Sequence, residues 1–163
     1  LTIRPATEAD GPDISRLLAH SYGELYRGWY PDAVLKHALP VMTRANPDLI
    51  ASGTFHAAFV DGALAGCGGW SRKRYDGSSE EGLAHLRHFG VDPDHLRRGI
   101  GRALFERCRA EAAAAGFTAL ESLSSLPAEA FYLSLGFRTA GPTHIELPDA
   151  TRFAGKLMRA AIG

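Results

Sequence analysis

Cysteine is scarce: Cys67 and Cys108 are the only two in 163 residues, and they form no CxxC pair. A paired-thiol redox or metal motif is therefore missing. Cys108 shares an i, i+4 row with Ile100, Leu104 and Ala112, which predicts a buried packing thiol, and neither cysteine is a candidate nucleophile. An excess of one charge sign is also lacking. Acidic and basic residues balance at 18 each, so there is no basic footprint of the kind nucleic-acid binding leaves. No apolar run approaches the ~20 residues of a membrane helix, and Leu1-Thr2-Ile3-Arg4-Pro5 lacks the apolar core of a signal peptide. These absences lead to the expectation of a soluble cytoplasmic protein. Repeats and low-complexity linkers are absent too.

What remains is ordinary globular composition, with 45% apolar and 22% charged residues, in a length suited to one domain over 1–163. Thr2–Ala6 reads as a strand. Asp10-Gly-Pro-Asp13 offers capping residues for a helix presenting Ile14, Leu17 and Leu18 on one face. A second helix starts at Pro31-Asp32 and carries Val34, Leu35 and Leu39. Strands at 54–60 and 63–70 flank Asp61-Gly62, a two-residue hairpin signal. Strand character returns over 83–91, and a helix follows from about Gly99 to Ala115. Then come a strand at 118–123, a short helix at 127–135, and two short strands near 137–140 and 152–158. The order implies an α/β (α+β) sandwich on a mostly antiparallel sheet, not a doubly wound one.

The chemistry concentrates in Val91-Asp-Pro-Asp-His-Leu-Arg-Arg-Gly-Ile-Gly-Arg-Ala-Leu-Phe105. Gly99 and Gly101 let a ligand approach the backbone. The first N–H groups of the helix that begins there have no partner inside it, and its dipole favours anions. Arg97, Arg98 and Arg102 add positive charge, so the segment suits a diphosphate. A dinucleotide fingerprint would need glycine at 104, where Leu stands, and a P-loop would need Gly-Lys-Ser/Thr.

Placed after a strand and before an amphipathic helix, Val-x-Pro-x5-Gly-Ile-Gly-Arg-Ala-Leu resembles the acetyl-CoA motif of the GNAT N-acetyltransferases. That motif is Gln/Arg-x-x-Gly-x-Gly/Ala, and its amides bind the cofactor's pyrophosphate. Leu96 departs from it at the first position, with Arg97 and Arg98 alongside. Downstream, Ala128-x-x-Phe131-Tyr132-x3-Gly136-Phe137 resembles the family's Asn-x-x-Ala-x-x-Phe/Leu-Tyr-x-x-x-Gly-Phe, with Ser125 at the Asn position. The resemblance spans nearly the whole chain. It implies a sheet of about six to seven strands flanked by about four helices, and acetyl transfer from acetyl-CoA to a primary amine without a covalent acyl-enzyme.

The same resemblance assigns Phe89, Gly90, Val91, Arg97, Arg98, Gly99, Ile100, Gly101, Arg102, Ser125, Ala128, Phe131 and Tyr132 to acetyl-CoA. It implies that the fourth strand splays from the fifth and that a backbone N–H near Val91 faces the oxyanion, Gly90 being compatible with a bulge there. Tyr132 takes the role of general acid toward the CoA sulfur. Where the family uses a strand glutamate as base this chain has His85, with Glu80 and Glu81 as fallbacks. Tyr26, Trp29 and Tyr30 are candidates for the acceptor pocket. His85, His88 and His95 raise the question of a metal; the odd spacing of 85 and 88 on a strand predicts opposite faces, and no metal is expected. A catalytically silent acyl-CoA sensor and a purely structural domain are the alternatives. Relatives that dimerise through sheet edges leave a homodimer open. The resemblance does not name the acceptor, which is expected to be a small amine.

Overall fold

The computed structural model describes residues 1–163. The elements run β1 (Thr2–Pro5), α1 (Gly11–Leu25), α2 (Asp32–Met42), α3 (Pro47–Ala51), β2 (Phe55–Val60), β3 (Ala63–Ser71), β4 (Leu83–Val91), α4 (Ile100–Ala114), β5 (Ala119–Ser125), α5 (Glu129–Ser134), β6 (Arg138–Glu146) and β7 (Arg152–Ala161). They form one seven-stranded sheet in the order β1-β2-β3-β4-β5-β7-β6. Every ladder is antiparallel except β4 with β5.

Two features depart from expectation. The helix α3 is additional; Asn46 caps it by accepting from the N–H groups of Asp48 and Leu49, and Pro47 occupies its first turn. The last two strands are longer than anticipated, because β7 lies between β5 and β6 and both of its edges are paired. Pro142 is tolerated inside β6 because β6 is an edge strand.

Helices cover both faces of the sheet. On one face α1 and α2 bury Ile14, Leu18 and Ala38 against Ala57, Cys67 and Phe153. On the other, α4 and α5 bury Phe105, Cys108 and Tyr132 against Trp70, Leu86, Leu120 and Met158. Each fully buried Leu or Ile contributes about 1.5–3 kcal/mol. Both cysteines are buried and free, and burial pushes the Cys67 thiol up to about 12, so they act as packing groups. No helix is long and apolar enough to cross a membrane.

Candidate active site

The parallel β4–β5 ladder is short. It pairs Leu83 with Ala119, Ala84 with Leu120 and His85 with Glu121, and then stops. Beyond that rung β5 continues along β7 as far as Ser125, whereas β4 bulges. His88 and Phe89 stand opposite the single residue Gly68, and His88 has φ of 52°. An extra residue bends a strand, so the two strands part as the family resemblance implies. The bulge sits at His88 rather than at Gly90. Gly90 is close-packed instead: a Cβ there would lie 2.9 Å from Leu18 Cδ2 of α1, whose side chain would have to shift.

The gap is a cavity of about 260 Å³ lined from both faces of the sheet, by α1 and α2 residues such as Tyr22 and Val41 and by Ala128 and Tyr132 at α5. It is bordered by Tyr26, His85, Arg87, His88, Phe89, Glu121, Ser125, Ala128 and Tyr132, among others. His85 and His88 both border this cavity, as does the whole run from His85 to Phe89. Tyr22, which belongs to the same aromatic cluster as Tyr26 but was not among the expected site residues, secures the bulge by donating its hydroxyl hydrogen to the Phe89 carbonyl at 2.8 Å.

The basic loop lies where β4 leads into α4. From Arg97 to Arg102 no backbone N–H donates to an acceptor within the chain; the first bond of the helix is Ala103 N–H to the Gly99 carbonyl. Gly99 caps α4 with φ of 75° and nothing within 4 Å of a would-be Cβ, so the backbone is open to a ligand. Arg97 and Arg98 are exposed, and neither they nor Arg102 pairs with a carboxylate. Arg102 donates only to the Ser134 carbonyl. Gly101 is also close-packed, since a Cβ there would meet the Phe131 ring at 3.0 Å, while its N–H is among the unpaired ones. Ile100 is likewise buried. Leu96 is 58% exposed, so its side chain has no role in the fold to displace.

Inside the cavity, His85 is 3% exposed. Its Nδ1 lies 3.3 Å from Glu121 Oε1, while its Nε2 is buried and makes no hydrogen bond. A carboxylate accepts only, so Glu121 favours the Nδ1–H tautomer and leaves the lone pair on Nε2. Burial lowers the His85 pKa below the usual histidine value; Glu121 opposes this and Arg74 reinforces it. Burial by itself would raise the Glu121 carboxyl. Arg74 and Arg159 outweigh that and hold it below its usual range. Arg74 donates to both Glu121 oxygens at 2.7 and 3.1 Å, and Arg159 Nε donates to Oε2 at 3.0 Å. Glu80 pairs with the same two arginines at the surface, and Glu81 is exposed away from the cavity. Sequence reading missed Glu121. Its available signal was a lone charge inside the apolar strand Ala119–Leu123.

Tyr132 is 6% exposed, with its ring edge-on to Phe131 and Phe137, and it borders the cavity. Burial pushes its phenol up to about 12, with Ser122 pulling the other way, so it stays protonated at neutral pH. Ser125 and Ala128 form the turn between β5 and α5, where Ala128 N–H donates to the Ser125 carbonyl. The aromatic cluster divides. Tyr26 borders the cavity and stacks on Tyr22, with centroids 5.0 Å apart. Tyr30 lies outside the cavity wall as a clamp, its hydroxyl donating to the Ala154 carbonyl and accepting from Leu126 N–H. Trp29 is 56% exposed and away from the cavity. None of His85, His88 and His95 enters a three-residue group able to hold a metal; the one such group is His20, Asp92 and Asp94.

Residues 19–137 match the Acetyltransferase (GNAT) family. An IAA acetyltransferase of Azospirillum brasilense is 33% identical over 123 residues, which cover 74% of each chain. Two solved structures share the fold. A GCN5-related N-acetyltransferase of Rhodopseudomonas palustris superposes with a TM-score of 0.79 at 17% identity, covering 98% of this chain and 94% of its own. The PaiA N-acetyltransferase of Thermoplasma acidophilum, solved with coenzyme A, superposes with a TM-score of 0.74 at 15% identity and 98% coverage of both chains. The family match spans both the basic cradle and Tyr132, and with the 33% relative it identifies this chain as a member of the GNAT acetyltransferase family, an acyltransferase enzyme.

Proposed function

We propose that the chain transfers the acetyl group of acetyl-CoA to a primary amine by direct attack within a ternary complex. The carrying observation is the parting of β4 from β5 immediately after His85 and Glu121. It places an unpartnered imidazole nitrogen and a protonated phenol on one cavity. The open amides and free arginines at 97–102 fit a diphosphate at the start of α4. From there a pantetheine arm follows the unpaired edge of β4 toward the cavity.

The residues then divide the work. An alkylamine with pKa ~10.4 arrives protonated, and His85 Nε2 removes one proton and passes it to solvent. The nitrogen attacks the thioester carbon, and a backbone N–H near Val91 donates to the oxyanion. As the C–N bond is completed and the C–S bond breaks, the nitrogen loses its second proton. Tyr132 donates its hydroxyl hydrogen to the departing sulfur and is reprotonated, so that proton ends on the free thiol. The products are the amide, CoA-SH and one proton. Glu121 gives His85 a fixed tautomer, an arrangement that an acyl-CoA sensor does not need.

Thermal unfolding with and without acetyl-CoA, combined with thiol release in the presence of amines, tests this reading. Ligand at about 100 times its Kd stabilises by about 2.7 kcal/mol. That gain is expected in the wild type and should vanish in Gly99→Glu, which puts a carboxylate in the cradle. A folded wild type with no gain at saturating acetyl-CoA would refute the cofactor assignment.

A further inference from the structure

His85 is not alone on its face of β4. Arg87 lies two residues further, so it projects to the same side, about 7 Å along the strand, and it borders the same cavity. Its electrostatic situation is unlike that of the other arginine there. Arg74 is saturated by Glu121 and Glu80. Arg87 is half-buried and has no carboxylate within ion-pair distance; its one hydrogen bond goes to the neutral Ser71 hydroxyl at 3.1 Å. A partly desolvated cation without a counter-ion is costly. Burial accordingly depresses the Arg87 pKa.

The charge around the cavity points the same way. Its only acidic side chain is Glu121, already bound by two arginines, and its cations are Arg74 and Arg87. A bare alkylammonium or a polyamine would find no free carboxylate there. Guanidinium forks match carboxylates in a bidentate geometry. The mouth is apolar, formed in part by Leu25, Val41 and Tyr75, which are 41%, 45% and 48% exposed. Large side chains left open at a concave site suit an apolar ligand group.

We propose that Arg87 is the carboxylate receptor of the acceptor site, and that the acceptor is an α-amino acid with an apolar side chain. The carboxylate pairs with Arg87, the amine faces His85 Nε2, and the side chain lies against Leu25, Val41 and Tyr75. The inference rests on the acetyl-transfer reading above and adds the acceptor class; the bonds made and broken are those already given.

The test compares kcat/KM for leucine and phenylalanine with that for their carboxamides, at saturating acetyl-CoA. The amine of each amide is the less basic, so a larger fraction of it is neutral at the assay pH, and the Arg87 variants isolate the part of any preference that the carboxylate supplies. The wild type should favour the acids at least ~10-fold, consistent with the ~1.5–3 kcal/mol of a charge-assisted hydrogen bond. Arg87→Gln should erase the preference by raising KM for the acids, and Arg87→Lys should restore part of it. The acetyl-CoA-induced rise in Tm, read on each variant, reports folding and the cofactor site separately. Equal or better use of the carboxamides, a preference that survives Arg87→Gln, or no transfer to any of the four despite stabilisation by acetyl-CoA would overturn the amino-acid proposal alone. No stabilisation of the wild type would overturn the acetyltransferase reading, and this proposal with it.

Discussion

Across the final rung of the only parallel ladder in the sheet, Nδ1 of His85 lies 3.3 Å from Oε1 of Glu121. The pair marks the point where two strands cease to share hydrogen bonds and a cavity begins. One strand supplies the imidazole and the other the group that orients it. The two arginines on Glu121 keep it ionised despite its burial, so its charge is available to the ring.

Replacing His85 with Ala should lower kcat by about 10²–10⁴-fold, the usual contribution of a general base. Glu121→Gln should cost less in rate but should also move the acid limb of the pH–rate profile. Glu121 raises the His85 pKa, so losing its charge shifts that limb to lower pH. Steady-state kinetics across pH reads this directly, and an unmoved limb would show that Glu121 does not act through His85.

The fold should weaken in mild acid. Burial lowers the pKa of both His85 and His88, the latter to about 4 from 6.5. Below 6.5 the unfolded chain binds protons that the folded chain refuses, so this stability is present above 6.5 and is lost as pH falls toward about 4. Tm measured from pH 8 to 4 should fall through that window, and His88→Gln should flatten the slope. An identical slope in that variant would remove His88 from the account.

Tyr132→Phe should leave acetyl-CoA stabilisation near the wild-type value, because the phenyl ring keeps its packing on Phe131 and Phe137. Thiol release should fall by about 10²-fold or more. Comparing Tm shift with turnover separates the two effects; wild-type turnover in the variant would assign Tyr132 to packing alone.

Tyr30→Phe should cost stability instead of chemistry. The hydroxyl joins Ala154 of β7 to Leu126 in the β5–α5 turn. Its loss leaves a donor and an acceptor unsatisfied, at about 1–3 kcal/mol for a buried group. Denaturant unfolding should show that decrease.

Much of this was legible in one dimension because its causes are local. The hairpin at Asp61-Gly62, the start of α4 at Gly99 and the stop before Gly116 depend on the conformations of a few neighbouring residues. The same holds for the basic cradle, since unpaired amides at a helix start follow from the helix itself. The small helix α3 was also signalled locally, by Asn46-Pro47, although its five residues carry too little periodicity to stand out.

Other features depended on chain segments meeting in space. The sequence by itself determined every element but α3, their order and the cradle, and its family resemblance supplied the candidacy of His85 and Tyr132. Only the tertiary structure decided that β7 enters between β5 and β6, and that Gly90 and Gly101 pack closely against Leu18 and Phe131. It also placed Tyr30 as a clamp, and set Glu121 beside His85 while leaving Arg87 without a partner. The physical reason is range. Capping and turns act over a few residues of chain, whereas burial and charge pairing depend on which strands become neighbours.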